Sequence, residues 1–382
     1  MTIILPVGII LIISVLSCKI TSKTGLPILV GFILIGVFLR RFFDSVDVGL
    51  AERICNYALL FIIFAGGFQT DFAKAKPVLA VSATLSTLGV VLTAAVITVF
   101  AHFVLRMELY AAILLGAVLS PTDAASVFSV LASKKLFLKK NLDRVLEMES
   151  GSNDPFAYML TVVFLAVATG ASVNVPLLLL QQILVGVAVG LAAGLLGRRM
   201  IKKLNVEIDG LESVLIYGVA LFIYGMAVLL HGNGFLAVYI GGILLGNSQI
   251  PGKVHLSRTC SSVSMLMQIL LFIVLGLLWV PSSVITVLIP GLIFAAFLFV
   301  VARPLIVFLL MKIFRYQIKD VALVSWAGFK GASSIVFATY ILAAGLPYGE
   351  YLFSIVFLVC LLSVILQGSL LAPLAKKLGL TE

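Results

Sequence analysis

Thirteen apolar stretches follow one another along this chain, and no other feature restricts its fold so strongly. A spanning helix needs about 20 mostly apolar residues. The stretches lie near 2–18, 25–39, 54–70, 78–104, 109–131, 145–169, 174–197, 211–230, 234–247, 263–280, 285–311, 320–345 and 351–374, the ninth being short. Hydrocarbon offers no partner to a backbone N–H or C=O, so consecutive apolar spans must be helices. A composition of 62% apolar and 11% charged residues, with a mean hydropathy of +1.24, excludes a water-soluble domain. The predicted fold class is an all-α polytopic membrane protein forming a single membrane domain over residues 1–382.

The distribution of charge supports this segmentation. Odd-numbered connections and the C-terminus hold 20 Lys and Arg residues, whereas even-numbered connections hold 4. Under the positive-inside rule the odd connections are cytoplasmic, which places the N-terminus outside and the C-terminus inside. The formal charge of +10 is thus a topology signal, and no nucleic-acid partner is expected. Two basic residues, Arg303 and Lys330, belong to no connection and lie within spans. The first apolar run has no basic region before it and reads as a true span, not a cleaved signal. Cys18, Cys55, Cys260 and Cys360 have no metal-ligand spacing and are expected to pack as small apolar residues. His102, His231 and His255 sit singly at segment ends, where they carry no functional expectation.

The polar residues inside the spans are few and grouped. Segment 6 carries Glu149-Ser-Gly-Ser-Asn-Asp154-Pro. A carboxylate at the centre of a membrane helix costs roughly 2.5–3.5 kcal/mol on insertion scales, so two on one span imply a compensating use, by default an ion or proton site. Segment 5 is interrupted by Leu119-Ser-Pro-Thr-Asp-Ala-Ala-Ser126 and segment 12 by Ala327-Gly-Phe-Lys-Gly-Ala-Ser-Ser334. If the chain divides into segments 1–6 and 8–13 around a connecting seventh, each interruption falls in the fifth segment of its half. The two then run in opposite directions, which points to a secondary transporter built from inverted repeats, with its site where broken helices 5 and 12 cross. The expected division is 1–170, a connecting helix in 171–210, and 211–375.

At the breaks, carbonyls and hydroxyls around Ser120–Asp123 can face a cation, and Asp123 can cap the half-helix that follows, as a neutraliser of its end first and a direct ligand second. On segment 6, Glu149 and Asp154 lie about 140° apart around the axis, whereas Ser150 and Asp154 share a face, as do Glu149 and Asn153. Pro155 lacks an N–H and frees the Gly151 carbonyl. Asp154, Ser150 and nearby carbonyls can dress a dehydrated monovalent cation with hard oxygen ligands. Lys330 needs an acidic partner; pairing it with Glu149 leaves Asp154 to exchange a proton for a cation. Arg303, followed by Pro304, is expected to tie the core together or to snorkel towards an interface. Asp71 and Glu147 sit near segment ends and are expected to be solvated.

At Ser120-Pro-Thr-Asp-Ala-Ala, Glu149-Ser-Gly-Ser-Asn-Asp-Pro and Gly328-Phe-Lys-Gly-Ala, the chain resembles the monovalent cation:proton antiporters of the NhaP-type and sodium/proton exchanger branch, over essentially its whole length. The resemblance implies electroneutral one-for-one exchange marked by Asn153-Asp154, with Asp154 as the shared cation and proton site and further ligands at Thr122, Asp123, Ser150 and Glu149. It implies a core bundle near 78–170 and 285–375, scaffold helices near 1–70 and 174–280 that form a homodimer in the lipid bilayer, and a bacterial-type inner membrane. Ile335-Val-Phe-Ala-Thr-Tyr and Leu366-Gln-Gly-Ser look most like the bacterial potassium/proton subgroup, whose members often continue into a cytoplasmic nucleotide-sensing domain; such a regulatory domain or partner would lie outside this chain. Lys330 stands where the family usually has Arg, and an ammonium cannot reproduce a bidentate guanidinium clamp. The expected activity is thus transport of K⁺ or Na⁺ against H⁺, with no enzymatic step and no cofactor. The alternative is a passive monovalent cation channel; an intramembrane aspartyl protease using Asp123 and Asp154 lacks its accompanying motifs.

Overall fold

The computed structural model describes residues 4–24, 28–43, 45–123, 126–127, 137–204, 210–250, 252–279 and 284–381. Fourteen helices account for the chain's architecture among them: α1 (Ile4–Thr24), α2 (Ile28–Leu39), α3 (Val48–Gln69), α4 (Phe72–Val104), α5 (Leu109–Leu119), α6 (Leu142–Ala168), α7 (Val175–Leu204), α8 (Leu211–Leu229), α9 (Gly234–Gly246), α10 (Lys253–Leu278), α11 (Ile285–Ile313), α12 (Ile318–Trp326), α13 (Ala332–Ala343) and α14 (Gly349–Lys377). Every expected segment contains a helix, and the twelfth is two, α12 and α13, separated at residues 327–331. The continuation of segment 5 beyond residue 127, with Lys134 and Lys135, lies outside the described residues.

Seven of the helices (α3, α4, α7, α8, α10, α11 and α14) are long and apolar enough to cross a bilayer. Helix α6 has the length, 27 residues, but carries Asp143, Arg144, Glu147, Glu149 and Asp154. Its charges are what a polar site inside a span requires, and they separate it from the helices that only traverse lipid. Pro155 sits within α6 without ending it.

Helices in lipid gain little from burying apolar surface against one another, so close approach depends on small residues. Helix α3 crosses α9 on such a contact: a β-carbon at Gly67 would lie 2.5 Å from the Tyr239 carbonyl, and one at Gly242 2.7 Å from that of Phe64. Large apolar clusters fill the space on either side of the breaks. One gathers residues of α2, α3, α5, α9, α10 and α13, and a second holds Leu85, Leu142, Leu146, Ile306, Val324 and Phe329 around α4, α6, α11 and the foot of α12.

Three helices contain a wide π-helical turn: α4 at Phe100–Val104, α11 at Leu298–Ala302 and α14 at Ser363–Gln367. The first two occupy the fourth position of each half, and they meet, with Phe100 stacked on Phe297 at a centroid distance of 3.7 Å. At the ends of the spans, Asp71 accepts from the Lys74 amide at 3.2 Å before α4; that bond, ahead of the Lys74 ammonium, holds its carboxyl below the usual range. Lys140 pairs with buried Asp320 at 2.9 Å, tying the start of α6 to the capping box of α12. An isolated antiparallel bridge joins Leu138 to Thr381.

Candidate functional site

The two breaks meet. Helix α5 ends at Leu119, and the chain through Ser120–Asp123 lies against residues 327–331, with the Asp123 amide donating to the Phe329 carbonyl at 2.8 Å. A helix that stops inside a membrane leaves its last carbonyls unpaired and carries a partial negative charge there. Lys330 supplies the compensation: its Nζ donates to the carbonyls of Pro121 at 2.7 Å and Ser120 at 3.1 Å. The start of α13 has the opposite polarity, and its N-cap, Gly331, has no side chain with which to cap it. There the Asp123 carboxylate packs so closely that a β-carbon on Gly331 would overlap it. Each break thus brings a charge to the other's helix end. The Asp123 carboxylate also accepts from the Ser126 hydroxyl at 2.6 Å. Capping of its own half-helix falls on residues 124–125, outside those described.

Beside this crossing, α6 presents its polar face. The Asn153 amide donates to the Thr122 hydroxyl at 2.7 Å, and that hydroxyl bonds Ser150 Oγ at 2.8 Å. The break of segment 5 and the middle of α6 are therefore joined by a chain of polar side chains, all 1% exposed. Asp154 is 9% exposed, with the Ser333 hydroxyl of α13 in reach of its carboxylate. Its Oδ1 and the Asn153 Oδ1 are buried without a hydrogen-bond partner among the described residues. Two unmatched acceptor oxygens beside hydroxyls form the donor set that a monovalent cation takes, and leaving them unmatched is costly unless something binds there. Gly151 faces the Tyr239 ring, whose hydroxyl would be 3.2 Å from a β-carbon. The Pro155 carbonyl accepts from Asn233 Nδ2 at 2.7 Å.

Glu149 and Lys330 are not partners, contrary to the expectation from sequence. Glu149 is fully buried and its Oε1 lies 2.6 Å from Nη2 of Arg303, itself buried. The contact is an ion pair without the alignment of a hydrogen bond. The physical reason is reach: α11 brings Arg303 alongside Gly328, where the guanidinium would touch a β-carbon, while Lys330 is turned towards α5. Arg303 is therefore a core tie and does not snorkel. The sequence signal for it was present, a basic residue inside a span, but a one-dimensional pattern cannot say which acid it meets. Ser333 and Asn233 carried no such signal. Cys55, Cys260 and Cys360 are buried and form no disulfide among the described residues, and the side chain of Cys18 lies outside them.

The comparisons with known proteins bear on the family and the fold. The family model for the transmembrane sodium/hydrogen exchanger matches residues 9–377. Among curated proteins, the chain is 35% identical to the K(+)/H(+) antiporter NhaP of Alkalimonas amylolytica, covering 99% of this chain and 67% of that protein. It is 33% identical to K(+)/H(+) antiporter NhaP2 of Shewanella sp. strain ANA-3, covering 95% and 65%. The chain thus spans about two thirds of the length of the curated relatives it matches. Among solved structures, the sodium proton antiporter MjNhaP1 of Methanocaldococcus jannaschii at pH 8 superposes with a TM-score of 0.85 at 22% identity, over 99% of each chain; this likeness establishes the fold. A multi-pass membrane protein is what these matches describe, and this chain belongs to the sodium/hydrogen exchanger family.

Proposed function

We propose that this chain is a secondary active antiporter exchanging K⁺ or Na⁺ for H⁺, one for one. The observation that carries the reading is the unequal state of the two acids of α6: Glu149 is matched by Arg303, whereas Asp154 keeps a buried oxygen with no partner among the described residues, beside the Thr122–Ser150–Asn153 chain. A proton and a cation cannot occupy that carboxylate together, because each satisfies the same negative charge. Competition for one group, with access alternating between the two sides, couples their movements in opposite directions. In this reading Thr122, Ser150 and Asp154 hold the cation, the carbonyl of Gly151 freed by Pro155 and the Asn153 oxygen complete its shell, and Asp123 and Lys330 hold the helix ends. Glu149 supports the site through Arg303.

The K⁺/H⁺ names of the relatives at 33–35% identity favour K⁺. The experiment is purified protein in liposomes with an imposed pH gradient, challenged in turn with Na⁺, K⁺, Li⁺ and Rb⁺. Cation-dependent dissipation of the gradient, without a sustained current on a solid-supported membrane, is the expected result. A current that persists without a proton gradient would instead indicate the channel.

The division into a core near 78–170 and 285–375 and a scaffold near 1–70 and 174–280 belongs to the same proposal. So does a homodimer in the inner membrane with the N-terminus outside and the C-terminus in the cytoplasm. Exposed Leu177, Leu180, Leu184, Leu191 and Leu195 along α7, with Ile12 and Val15 of α1, offer an apolar face for the second copy or for lipid. Light scattering in detergent tests the dimer; a monomer at micromolar protein would remove it. Labelling of single cysteines placed in alternate connections tests the orientation.

A further inference from the structure

The final span, which contributes no ligand to the proposed site, is bonded to both ends of the break in segment 12. Ser363 and Gln367 are fully buried and bracket the π-helical turn of α14. The Lys330 amide donates to Ser363 Oγ at 2.8 Å, and the Ser363 hydroxyl donates to Gln367 Oε1. Gln367 Nε2 donates to the Trp326 carbonyl at 3.0 Å, and the Trp326 indole N–H donates back to the Gln367 carbonyl at 3.2 Å. Trp326 closes α12 and Lys330 precedes the N-cap of α13, so one side-chain pair satisfies a carbonyl upstream of the break and an amide downstream of it.

Three features make this more than local satisfaction of polar groups. The amide held by Ser363 belongs to the residue whose ammonium meets the Ser120 and Pro121 carbonyls, so the position of that charge is fixed from behind. The Phe329 carbonyl next to it accepts from the Asp123 amide, which carries the constraint into the other break. Finally, both side chains belong to the wide turn at Ser363–Gln367, and both bond the segment 12 break. π-turns are locally costly and recur where function uses them.

We propose that Ser363 and Gln367 are positioning residues for cation exchange: through the Lys330 backbone they set where the Lys330 and Asp123 charges stand relative to Asp154, and so set the affinity of the carboxylate for the cation. This rests on the antiporter reading for its kinetic consequence. Removing the Ser363 hydroxyl lets residues 327–330 relax, moves the ammonium, and weakens cation binding more than it slows the exchange step.

The test uses full-length protein carrying Ser363→Ala, Trp326→Phe or Ser363→Thr, in liposomes and, in parallel, in nanodiscs for hydrogen–deuterium exchange. Trp326→Phe keeps an aromatic ring and removes the indole donor; Ser363→Thr keeps the hydroxyl. The expected result is a KM for the cation raised about tenfold in Ser363→Ala, the size of one lost hydrogen bond, with a smaller change in maximum rate and recovery in Ser363→Thr. Peptides covering 326–334 should exchange faster in Ser363→Ala and Trp326→Phe than in the wild type. Variants that melt earlier but keep the wild-type KM and the wild-type protection of 326–334 would overturn the proposal, since the residues would then only stabilise the fold. If the wild type itself moves no protons in response to a cation, the antiporter reading fails. In that case the exchange data on 326–334 still decide whether α14 holds the break: unchanged protection overturns it and faster exchange supports it.

Discussion

Glu149 and Asp154 stand on one helix, and their neighbours give them different work. Glu149 faces a guanidinium at 2.6 Å in full burial, while Asp154 lies in reach of the Ser333 hydroxyl and retains an oxygen without a partner among the described residues. Asp154→Asn preserves shape and removes the exchangeable charge, so cation-driven proton movement in liposomes should fall to the protein-free background while the melting temperature stays near the wild type. Retained exchange would remove Asp154 from the centre of the mechanism. For Glu149 the expectation concerns stability. Removing one member of a buried ion pair leaves a bare charge and costs about 3–5 kcal/mol, whereas replacing both is often close to neutral. Arg303→Met should therefore destabilise strongly, and Glu149→Gln with Arg303→Met should recover much of the loss. A denaturation cycle in which the two changes simply add would show that the pair is not coupled. The same cycle with Lys330→Met in place of Arg303→Met should show far weaker coupling, because Lys330 bonds carbonyls and not Glu149.

At the level of the element, the breaks in segments 5 and 12 could be read from Pro121, the glycines Gly328 and Gly331, and the polar residues among them, because each marks a place where an α-helix cannot continue unaided. Their opposite directions followed from counting spans. The pairing of charges was not legible: Glu149 lies far from both Arg303 and Lys330 in sequence, and only the packing of α11 against α6 chooses between them. The wide turns were partly legible. The turn at Leu298–Ala302 ends two residues before Pro304, which cannot donate to the carbonyl of Val300 and displaces the turn before it. Phe100–Val104 has no such cause in sequence; Ser363–Gln367 carries only a serine and a glutamine whose partners lie some thirty-three and forty-one residues away. Glycine at 331 has a reason that sequence alone does not supply, namely the carboxylate pressed against it from the other break. Gly331→Ala should push Asp123 off the start of α13 at about 1–3 kcal/mol of overpacking and abolish exchange, while Gly218→Ala, in open space on α8, should leave exchange rates intact. Equal activity of the two variants in the liposome assay would contradict this account of the crossing.

For the whole molecule, exchange requires that the helices carrying the site move past the helices that do not. In the division proposed above, α6 and α13 move and α3, α8 and α9 stay. Asn56 of α3 crosses that boundary: it accepts from the Tyr340 hydroxyl of α13 at 2.6 Å and donates to the Tyr224 hydroxyl of α8 at 3.0 Å. The rings of Tyr158 and Phe235 pack edge to face beside it at 4.9 Å, and Tyr158 also lies 5.8 Å from Tyr340. This cluster sits past the site towards the end of α13 and ties α13 to α3 and α8. If α13 shifts relative to α3, the bridge through Asn56 has to open once in every cycle. With Cys18, Cys55, Cys260 and Cys360 replaced, Asn56→Cys combined with Tyr340→Cys and joined by a short bifunctional thiol reagent should stop cation:proton exchange, and a reductant that cleaves the linker should restore it. Either single variant treated the same way should keep exchanging. Full exchange in protein shown by mass spectrometry to be cross-linked would mean that α13 and α3 travel together, and the boundary between moving and stationary helices would then have to run elsewhere.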